Sequence, residues 1–550
     1  MDVRRGIILA SIAVLSYLLV LEWNEDYGQR PQVAEPITRL TPVTPQTDVP
    51  STSQPANADA PVVTADASPV TLSAPATELI EVQTDVLDIR INPQGGDIVY
   101  AALKAFPVSI NQKDTPFVLL EQSSVRSYVA QSGLVGKNGI DKSGRAQYSV
   151  EKTKYEMMDG DDTLSVVLKT QQNGVSIDKV FNFKRGDYLV NLGYRVNNAS
   201  VTDWKANFYA QFKRDRSVDP SSMEAMGMAS YLGGAVTRPT ENYFKIDFDD
   251  MDEGNFKEQV TGGWAAFLQH YFLSAWVPNA ETQHTYNARK AGGQYIVGYY
   301  DDAFSVAAGT QGESFTSLYL GPKDQDRLAE IAPHLDLTID YGWLWWVAQP
   351  LFWLLQMMFA IAGNWGMAII LLTILIKLFF FPLSAASYRS MANMRRVAPK
   401  LTALREQYGD DRQKLSQEMM GLYKKEKINP LGGCLPILVQ MPVFIALYWV
   451  LMESVELRQA PFMLWIEDLS IKDPFFILPL IMGASMFVQM QLNPTPPDPM
   501  QAKVMKLMPI IFTVFFLFFP AGLVLYWVVN NLLSIAQQYY ITKQIENASD

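Results

Sequence analysis

Residues 507–542 contain no charged side chain over 36 consecutive positions. A single helix of that length would extend about 54 Å, whereas the hydrocarbon core of a bilayer is about 30 Å thick. The segment is therefore too long for one transmembrane helix. Pro520-Ala521-Gly522 lies within it and supplies residues that favour a turn. We expect two spans here, at about 507–519 and 523–542.

Further spans follow from the same criterion of about 20 apolar residues per crossing. Arg4 and Arg5 precede an uncharged segment that has no small-residue cleavage site after it, which predicts an uncleaved signal anchor over 1–23 with a cytoplasmic N-terminus. Three more segments, each with at most one charge, predict spans at about 364–386, 435–452 and 474–492. The chain is thus predicted to be a polytopic α-helical membrane protein with six spans.

The apolar segment 343–362 has two alternative placements. Hydropathy alone would make it a further span. The loop 387–427, with ten Lys or Arg and five acids, would then lie outside the cell membrane, against the positive-inside rule. An interfacial helix over 336–362 instead leaves 387–427 and the tail 543–550 in the cytoplasm and the acidic loop 453–473 outside. We favour the interfacial helix, with both termini cytoplasmic.

The cytoplasmic loop 387–427 is predicted to be a helical hairpin. Apolar residues recur at helical spacing on both sides of Gly409-Asp410, which interrupts the pattern. A solvated loop bound to anionic lipid headgroups would explain the basic residues but not this apolar seam. The seam consists of Met394, Val397, Leu401, Leu404, Tyr408, Leu415, Met419 and Leu422.

Residues 24–335 have the composition of a tether followed by a soluble domain. Prolines recur throughout 24–77 without apolar periodicity, which predicts a disordered tether. From 78 to 335 apolar and polar residues alternate, as in 87–92, and Lys184-Arg185-Gly186-Asp187 predicts a hairpin turn. We expect one large antiparallel β-sandwich in the periplasm. The fold class is therefore multidomain α+β.

Composition excludes several classes of function. The net charge of −11 argues against a nucleic acid as substrate, because phosphate binding needs concentrated Lys and Arg. His270, His284 and His334 all lie in the predicted β-domain, so the spans can build neither a zinc site nor a His-based hydrolase. The single Cys434 leaves disulfides no part in the fold, and a phosphate-binding Gly-rich motif is absent. We expect no enzyme, no metal and no cofactor.

Lys377 is the only charged residue well inside a predicted span. A charge at the bilayer centre costs roughly 2.5–3.5 kcal/mol, so it normally faces protein or water and marks a functional site. Its long stem could instead carry the ammonium to the cytoplasmic headgroups. If the helix continues past Pro382 to Ser387, Lys377 lies about 15 Å below the helix end, which favours an interior position.

Polar residues in the other spans could line a wet cavity together with Lys377, although each alone is more typical of an interhelical hydrogen bond. The span 507–519 has only 13 residues, about 20 Å as a helix, so it must either extend towards its N-terminus or thin the bilayer. The candidate groove residues are Lys377, Thr373, Gln440, Pro442, Thr513, Tyr526 and Asn530.

The sequence also resembles a known family. Asn429-Pro430-Leu431-Gly432-Gly433-Cys434-Leu435-Pro436, followed by Gln440-Met441-Pro442, is similar to the signature of the YidC family of membrane protein insertases. The resemblance covers nearly the whole chain apart from the tether. Further similar segments are 84–88, 184–188, 341–345, 363–366, 409–411, 416–420, 455–462 and 522–526.

The resemblance implies a five-helix insertase core with a hydrophilic groove open to cytoplasm and lipid, and a periplasmic β-supersandwich. It implies insertase and chaperone activity on newly made membrane proteins, alone or with the Sec translocon, in the bacterial inner membrane. Ribosome or signal-recognition components at the cytoplasmic loops are further candidate partners, beside the phospholipid membrane itself. Lys377 stands where many members have Arg, which keeps the charge but loses the bidentate fork. Phe518 stands where some relatives have Trp.

Two other classes of function remain as alternatives. A transporter or channel would predict paired broken helices in inverted halves, and we find no such symmetry in the sequence. A membrane-anchored periplasmic protein that binds or processes sugars would need acids and His to converge in one cleft. Deletion of most of 78–335 would abolish the function of a sugar-binding or sugar-processing protein, whereas an insertase would keep residual activity.

Overall fold

The computed structural model describes residues 78–142, 144–220, 230–408, 411–426, 435–493 and 499–547. They form two compact units, a β-rich unit up to residue 339 and a helical unit from residue 340. The predicted signal anchor 1–23 and tether 24–77 lie outside the described residues. So do the turn at Gly409-Asp410 and most of the motif that begins at Asn429.

The β-rich unit contains two sheets, of eleven and nine strands. The larger has the order β14-β17-β18-β11-β5-β4-β3-β2-β1-β7, with β19 also paired to β11, and the smaller has the order β13-β12-β15-β16-β20-β10-β9-β8-β6. Described pairs are antiparallel except β1 with β7. The strands are β1 Ile80–Gln83, β2 Leu87–Asn92, β3 Asp97–Pro107, β4 Pro116–Gln122, β5 Ser127–Val135, β6 Ser149–Val150, β7 Lys154–Glu156, β8 Thr163–Gln172, β9 Val175–Lys184, β10 Leu189–Asn198, β11 Trp204–Arg214, β12 Gly233–Val236, β13 Phe244–Ile246, β14 Phe256–Thr261, β15 Ala265–Leu268, β16 Phe272–Val277, β17 Gln283–Ala291, β18 Gln294–Asp301, β19 Phe304–Val306 and β20 Gln311–Pro322.

Aromatic side chains fill the space between the two sheets. Phe117 of β4 stacks on Phe272 of β16 with ring centroids 4.3 Å apart, and Phe212 of β11 lies 5.6 Å from Trp276 of β16. The alternation predicted for 87–92 is confirmed, because every second residue of β2 is buried. The hairpin turn between β9 and β10 is also confirmed, with Gly186 at a φ of 70°, where glycine is favoured.

A buried charged cluster joins the two sheets. Lys179 of β9 is 0% exposed and donates to the carbonyl oxygens of Gly95, at 2.9 Å, and Ser132, at 3.1 Å. Arg145 donates to the same two carbonyls and forms ion pairs with Asp97 and Asp141. Burial lowers the pKa of Lys179 from 10.5 to about 7, against the attraction of Asp97.

The helical unit consists of eight described helices, and two short helices belong to the β-rich unit. In the helical unit α10 packs against α8, α4 and α5, α9 packs against α8, and α3 packs against α4 and α7. The helices are α1 Phe248–Glu253, α2 Gln325–Ile331, α3 Trp345–Ala362, α4 Trp365–Phe379, α5 Phe381–Tyr408, α6 Arg412–Lys425, α7 Leu435–Glu453, α8 Ile477–Leu492, α9 Pro499–Phe516 and α10 Ala521–Asn547. Short 3₁₀ turns occur at Leu335–Thr338, Gly342–Leu344 and Val455–Leu457.

By length and composition, one described helix, Gly342–Ala362, could cross a membrane. A second candidate is the pair Trp365–Phe379 and Phe381–Met394, if that bent pair is one span. Val439–Glu453 and Ile477–Leu492 are apolar but shorter. Length and composition do not separate a spanning helix from an interfacial one, so they leave both placements of α3 open.

The predicted helix through 364–386 is wrong at its C-terminal end. α4 ends at Phe379, and α5 leaves it at a bend of 67°. Pro382 cannot donate a backbone hydrogen bond to the preceding turn, so the chain starts a new helix there. Lys377 therefore lies in the last turn of α4, and the expected 15 Å of further helix along the same axis does not exist.

The helix that contains the predicted span 507–519 is longer than the span itself and ends three residues before Phe519. α9 begins eight residues earlier, at Pro499, and its 18 residues extend about 27 Å. This length agrees with extension of the helix towards its N-terminus, the first of the two solutions considered for a short span. Lys503 and Lys506 lie in this added part of the helix.

The apolar seam of the helical hairpin is present between α5 and α6. Val397 and Leu401 are buried there, and Met394, Met419, Leu422 and Tyr423 pack against them. Leu404, Tyr408 and Leu415 are half-buried and lie outside this cluster. Asp411 accepts hydrogen bonds from the backbone of Gln413 and Lys414 and so caps α6.

Candidate polar groove in the helical unit

Lys377 points into the helical unit. Its side chain is 8% exposed, and its Nζ donates a hydrogen bond to Ser534 Oγ of α10 over 2.7 Å. The Ser534 hydroxyl in turn donates a hydrogen bond to the carbonyl oxygen of Asn530, also at 2.7 Å. The serine oxygen is thereby left as an acceptor for the ammonium. The cation is held between α4 and α10 by a neutral group.

No carboxylate in the described part of the chain forms an ion pair with Lys377. Two features stabilise the charge in its place. The last turn of a helix carries partial negative charge, which contributes about 0.3–1 kcal/mol for a nearby cation. The Ser534 oxygen adds one charge-assisted hydrogen bond. The positive charge is therefore stabilised without being neutralised.

A line of polar contacts runs along one face of α10. Asn531 Nδ2 donates to Ser485 Oγ of α8 over 3.1 Å. Farther along, Gln538 Nε2 donates to the Leu492 carbonyl and to Asn493 Oδ1 at the end of α8, at 3.1 and 3.0 Å. With Ser534, the contacting residues of α10 follow the spacing of three and four residues that keeps side chains on one helix face.

The outer faces of the same helices are apolar. On α4, Leu378 and Phe379 are exposed although they directly follow the buried Lys377, and Phe379 is 77% exposed. Exposed apolar residues continue on the other helices. They include Leu480, Ile481, Phe487 and Val488 on α8 and Leu507, Ile510, Ile511 and Val514 on α9. Polar contacts inside and apolar side chains outside are the arrangement that a lipid environment favours.

The other predicted groove residues lie at different places around Lys377. Thr373 is buried one turn before it and donates to the Ile369 carbonyl at 2.6 Å. The backbone carbonyl of Asn530 accepts the hydrogen bond of Ser534, the residue that binds the Lys377 ammonium. Tyr526 is buried one turn before Asn530 and stacks on Phe444 of α7, with ring centroids 6.2 Å apart.

Two predicted residues lie on α7 and one on α9. Gln440 and Pro442 are half-buried on α7. Thr513 of α9 donates to the Pro509 carbonyl at 2.6 Å, and its hydroxyl lies so close to Gly483 of α8 that a side chain at 483 would collide with it. Thr513 therefore belongs to the contact between α8 and α9, while Lys377 and Asn530 belong to that between α4 and α10.

Comparison with known proteins assigns the chain to a family. Residues 79–354 match the family of the YidC periplasmic domain, and residues 357–548 match that of the 60Kd inner membrane protein. The membrane protein insertase YidC of Stutzerimonas stutzeri (strain A1501) is 57% identical over 550 residues, which cover 99% of each chain. The chain belongs to the YidC family. It is an inner-membrane protein with a periplasmic β-rich domain.

Solved structures related to this YidC-family chain are more distant. The active YidC insertase with its first transmembrane domain resolved is 18% identical, with a TM-score of 0.40, over 84% of this chain and 92% of its own. A galactose mutarotase related enzyme from Lactobacillus acidophilus is 9% identical, with a TM-score of 0.31, over 44% of this chain and 97% of its own. The family assignment therefore rests on sequence.

The helical unit of this YidC-family chain contains polar contacts between helices that were not predicted from the sequence. Ser534, Ser485 and Gln538 were not among the candidates, yet each makes a buried contact between helices. The sequence does contain a pattern that points to two of them, because Asn531, Ser534 and Gln538 are polar residues at helical spacing in an uncharged segment. Serine alone is too common in transmembrane helices to single out a position.

Proposed function

We propose that this chain inserts membrane proteins into the inner membrane through a polar groove in its helical unit, with Lys377 as the cation of that groove. Relatives named membrane protein insertase YidC that are 57% identical over nearly the full length support insertion. The observation that carries the groove is the ammonium of Lys377, which is buried without a counter-ion among the described residues.

The groove would lower the cost of moving a client's polar tail partway into the bilayer. Lys377 attracts acidic groups on that tail, because no carboxylate among the described residues neutralises its charge. Thr373 and Asn530 supply polar groups near Lys377, and Thr513 supplies one at the neighbouring contact between α8 and α9, for water or the tail to contact. No covalent step is needed, so we assign no cofactor and no catalytic residue.

The apolar part of the client then leaves sideways into lipid. Its path runs beside Gln440, Pro442 and Tyr526, at the contact between α7 and α10. Transfer of the client into the hydrocarbon contributes roughly 0.8 kcal/mol per buried methylene. The client's own hydrophobicity therefore drives the final step.

We propose six spans, with α3 as an interfacial helix within 336–362. Trp343, Trp345, Trp346 and Trp353 are exposed around α3, and tryptophan favours the membrane interface. The basic hairpin within 387–427 and both termini then lie in the cytoplasm. The two sheets of the β-rich unit would form the periplasmic supersandwich over 78–335.

Newly made membrane proteins and the phospholipid membrane are the partners that this function requires. The Sec translocon is a further proposed partner, and ribosome or signal-recognition components are candidates at the basic hairpin. The hairpin supports a cytoplasmic docking role because its helices are held together by a packed seam rather than by lipid contact alone. Nucleic acid is not proposed as a substrate.

Solvent accessibility tests the groove. Single cysteines at positions 373, 440 and 530, in a Cys434→Ser background, are treated with a membrane-impermeant maleimide in native membranes. A maleimide reacts with the thiolate, so a wet groove gives rapid labelling at all three positions. Phe379→Cys, on the exposed apolar face of α4, is the unreactive control. Labelling at the three sites as slow as at 379 would contradict the groove.

A further inference from the structure

The loop between α7 and α8, residues 454–476, is unusually strained. Five non-glycine residues in the described part of the chain have a positive φ, and three of them, Gln459, Leu464 and Phe476, lie in this loop at 57°, 57° and 55°. Side chains other than glycine rarely adopt this conformation, and it persists only where the surroundings impose it. The loop is therefore held in one shape by specific contacts.

Buried acidic side chains hold the loop 454–476 in this conformation. Asp473 is buried and accepts hydrogen bonds from Trp465 Nε1, at 3.0 Å, and from the backbone of Phe475 and Leu478, at 3.0 and 2.7 Å. Asp468, also buried, accepts from both the backbone and the hydroxyl of Ser470. Asp473 thereby ties Trp465 to the end of the loop, and Asp468 fixes the turn at Ser470.

The loop is also tied to the ends of three helices. Asn364, which caps the first turn of α4, donates to the carbonyls of Pro461 and Phe462 at 3.0 and 3.2 Å. Ala521, the first residue of α10, donates its backbone N–H to Ile471 at 2.7 Å. Asp473 holds the first turn of α8. The loop is a rigid cap on the N-terminal ends of α4, α8 and α10.

This rigid cap presents an apolar tip. Residues 463–466 form a tight turn, in which Phe462 N donates to Ile466 O at 2.9 Å and Ile466 N to Met463 O at 3.1 Å. Leu464, at the tip, is 82% exposed, and Met463 beside it is exposed as well. The segment 459–466 contains no charge. A strained backbone here holds two apolar side chains away from the protein.

We propose that Met463 and Leu464 insert into the lipid of the periplasmic leaflet and anchor this end of the helical unit at the membrane surface. The apolar surface continues from the loop onto the helices that it caps. Phe475 is exposed in the loop, Leu480 and Ile481 on α8, and Met367 on α4. The proposal rests on these helices spanning the membrane and is independent of the groove.

Lipid fits this tip better than a protein partner. A specific protein interface carries hydrogen bonds and a polar rim around its apolar centre. The tip 463–464 offers only apolar side chains, and the neighbouring polar groups of Trp465 and Asp473 are already bonded within the loop. An apolar projection without directional groups can be accommodated by acyl chains, which impose no pattern of donors and acceptors.

Depth-dependent quenching tests the proposal. Leu464→Cys in the full chain, with Cys434→Ser, is labelled with an environment-sensitive fluorophore and placed in lipid nanodiscs, which leave both membrane faces open to solvent. Val201→Cys, at a site 95% exposed on the β-rich unit, is the aqueous control. We expect nitroxide-bearing lipids to quench the probe at 464 several-fold more than at 201, and aqueous iodide to do the reverse.

Two results would overturn the proposal. Iodide quenching at 464 equal to that at 201 would mean that the tip lies in water. Protection from both iodide and lipid nitroxides would mean that protein covers it. Neither result would bear on the groove, which labelling at 373, 440 and 530 tests separately.

A second variant separates lipid contact from a role in folding. Leu464→Asn suits the left-handed backbone at this position and replaces an apolar side chain with a polar one. We expect the unfolding temperature to stay equal or rise, while a probe at Met463→Cys loses much of its quenching by lipid nitroxides. Unchanged lipid quenching at 463 would show that Leu464 does not hold the tip in lipid.

Discussion

Lys377 Nζ lies 2.7 Å from Ser534 Oγ, so this buried cation is bound by a hydroxyl rather than by a carboxylate. A carboxylate at position 534 would cancel the charge that we propose attracts a client's acidic tail. The hydroxyl fixes the position of the ammonium and leaves its charge available.

The charge of Lys377 is tested by two substitutions. We expect Lys377→Met to reduce insertion of a Sec-independent client with an acidic tail by about tenfold, since loss of one favourable charge contact of about 1–2 kcal/mol has that size. Lys377→Arg keeps the charge and should keep most of the activity. Insertion into proteoliposomes, scored by protease protection, measures both. Equal activity in all three forms would remove Lys377 from the mechanism.

The position of the ammonium is tested at Ser534. Ser534→Ala removes the acceptor, and we expect a moderate loss of insertion because the cation keeps its charge but loses its fixed place. Ser534→Asp neutralises the cation and should resemble Lys377→Met, with the largest effect on clients with acidic tails. Ser485→Ala, which removes the similar bond to Asn531, is the matched control. A loss at 485 as large as at 534 would indicate general loosening of the helices.

The buried carboxylate of Asp473 should control the stability of the helical unit. Asp473→Ala leaves three donors without their acceptor, and each unsatisfied buried group costs about 1–3 kcal/mol, so we expect a loss of roughly 3 kcal/mol or more. Asp473→Asn keeps one acceptor oxygen and should lie in between. Thermal unfolding in detergent micelles measures the change. Glu467→Ala, at an exposed acid of the same loop, should be neutral.

The sequence allowed the β-strands and the apolar seam of the hairpin to be predicted because both follow from local periodicity. Leu87 and Val397 are buried where the periods of two and 3.6 place them. The start of α9 was not predicted, because Lys503 and Lys506 interrupt the hydropathy without interrupting the helix. Lysine is a good helix former, so charge marks the limit of an apolar segment rather than the limit of a helix.

The proposed groove could be predicted only in part from the sequence. Lys377 is conspicuous because a charge in an apolar segment is costly. Its partner Ser534 was not predicted, since any of several polar side chains on the last predicted span could have faced Lys377. The bend of 67° after Phe379, which fixes the direction of α4 relative to α5, was not predicted either. The helix was expected to continue past Pro382, and a proline alone does not specify the angle of a bend.

The buried Lys179 makes the β-rich unit sensitive to pH. Its pKa is about 7 in the folded state and 10.5 as the ordinary value, so between these values the unfolded chain binds the extra proton. The free energy of unfolding should therefore rise as pH increases from 7 to 9. Neighbouring tyrosines such as Tyr194 have a pKa raised well above 10 by burial and do not titrate in this window. Hydrogen exchange of β9 and β5 in the full chain measures the stability of the unit.

Lys179→Met should abolish this rise and raise the free energy of unfolding at pH 7, because it replaces a buried ammonium with an apolar side chain of similar length. The carbonyls of Gly95 and Ser132 would keep Arg145 as a donor, so the variant leaves no acceptor stranded. Lys169→Met, at an exposed position on the adjacent strand β8, is the control and should retain the wild-type pH dependence. A pH profile of exchange that is the same with and without Lys179 would show that its ammonium keeps an ordinary pKa, and the charged cluster between the sheets would then be stabilised chiefly by Arg145 and its two aspartates.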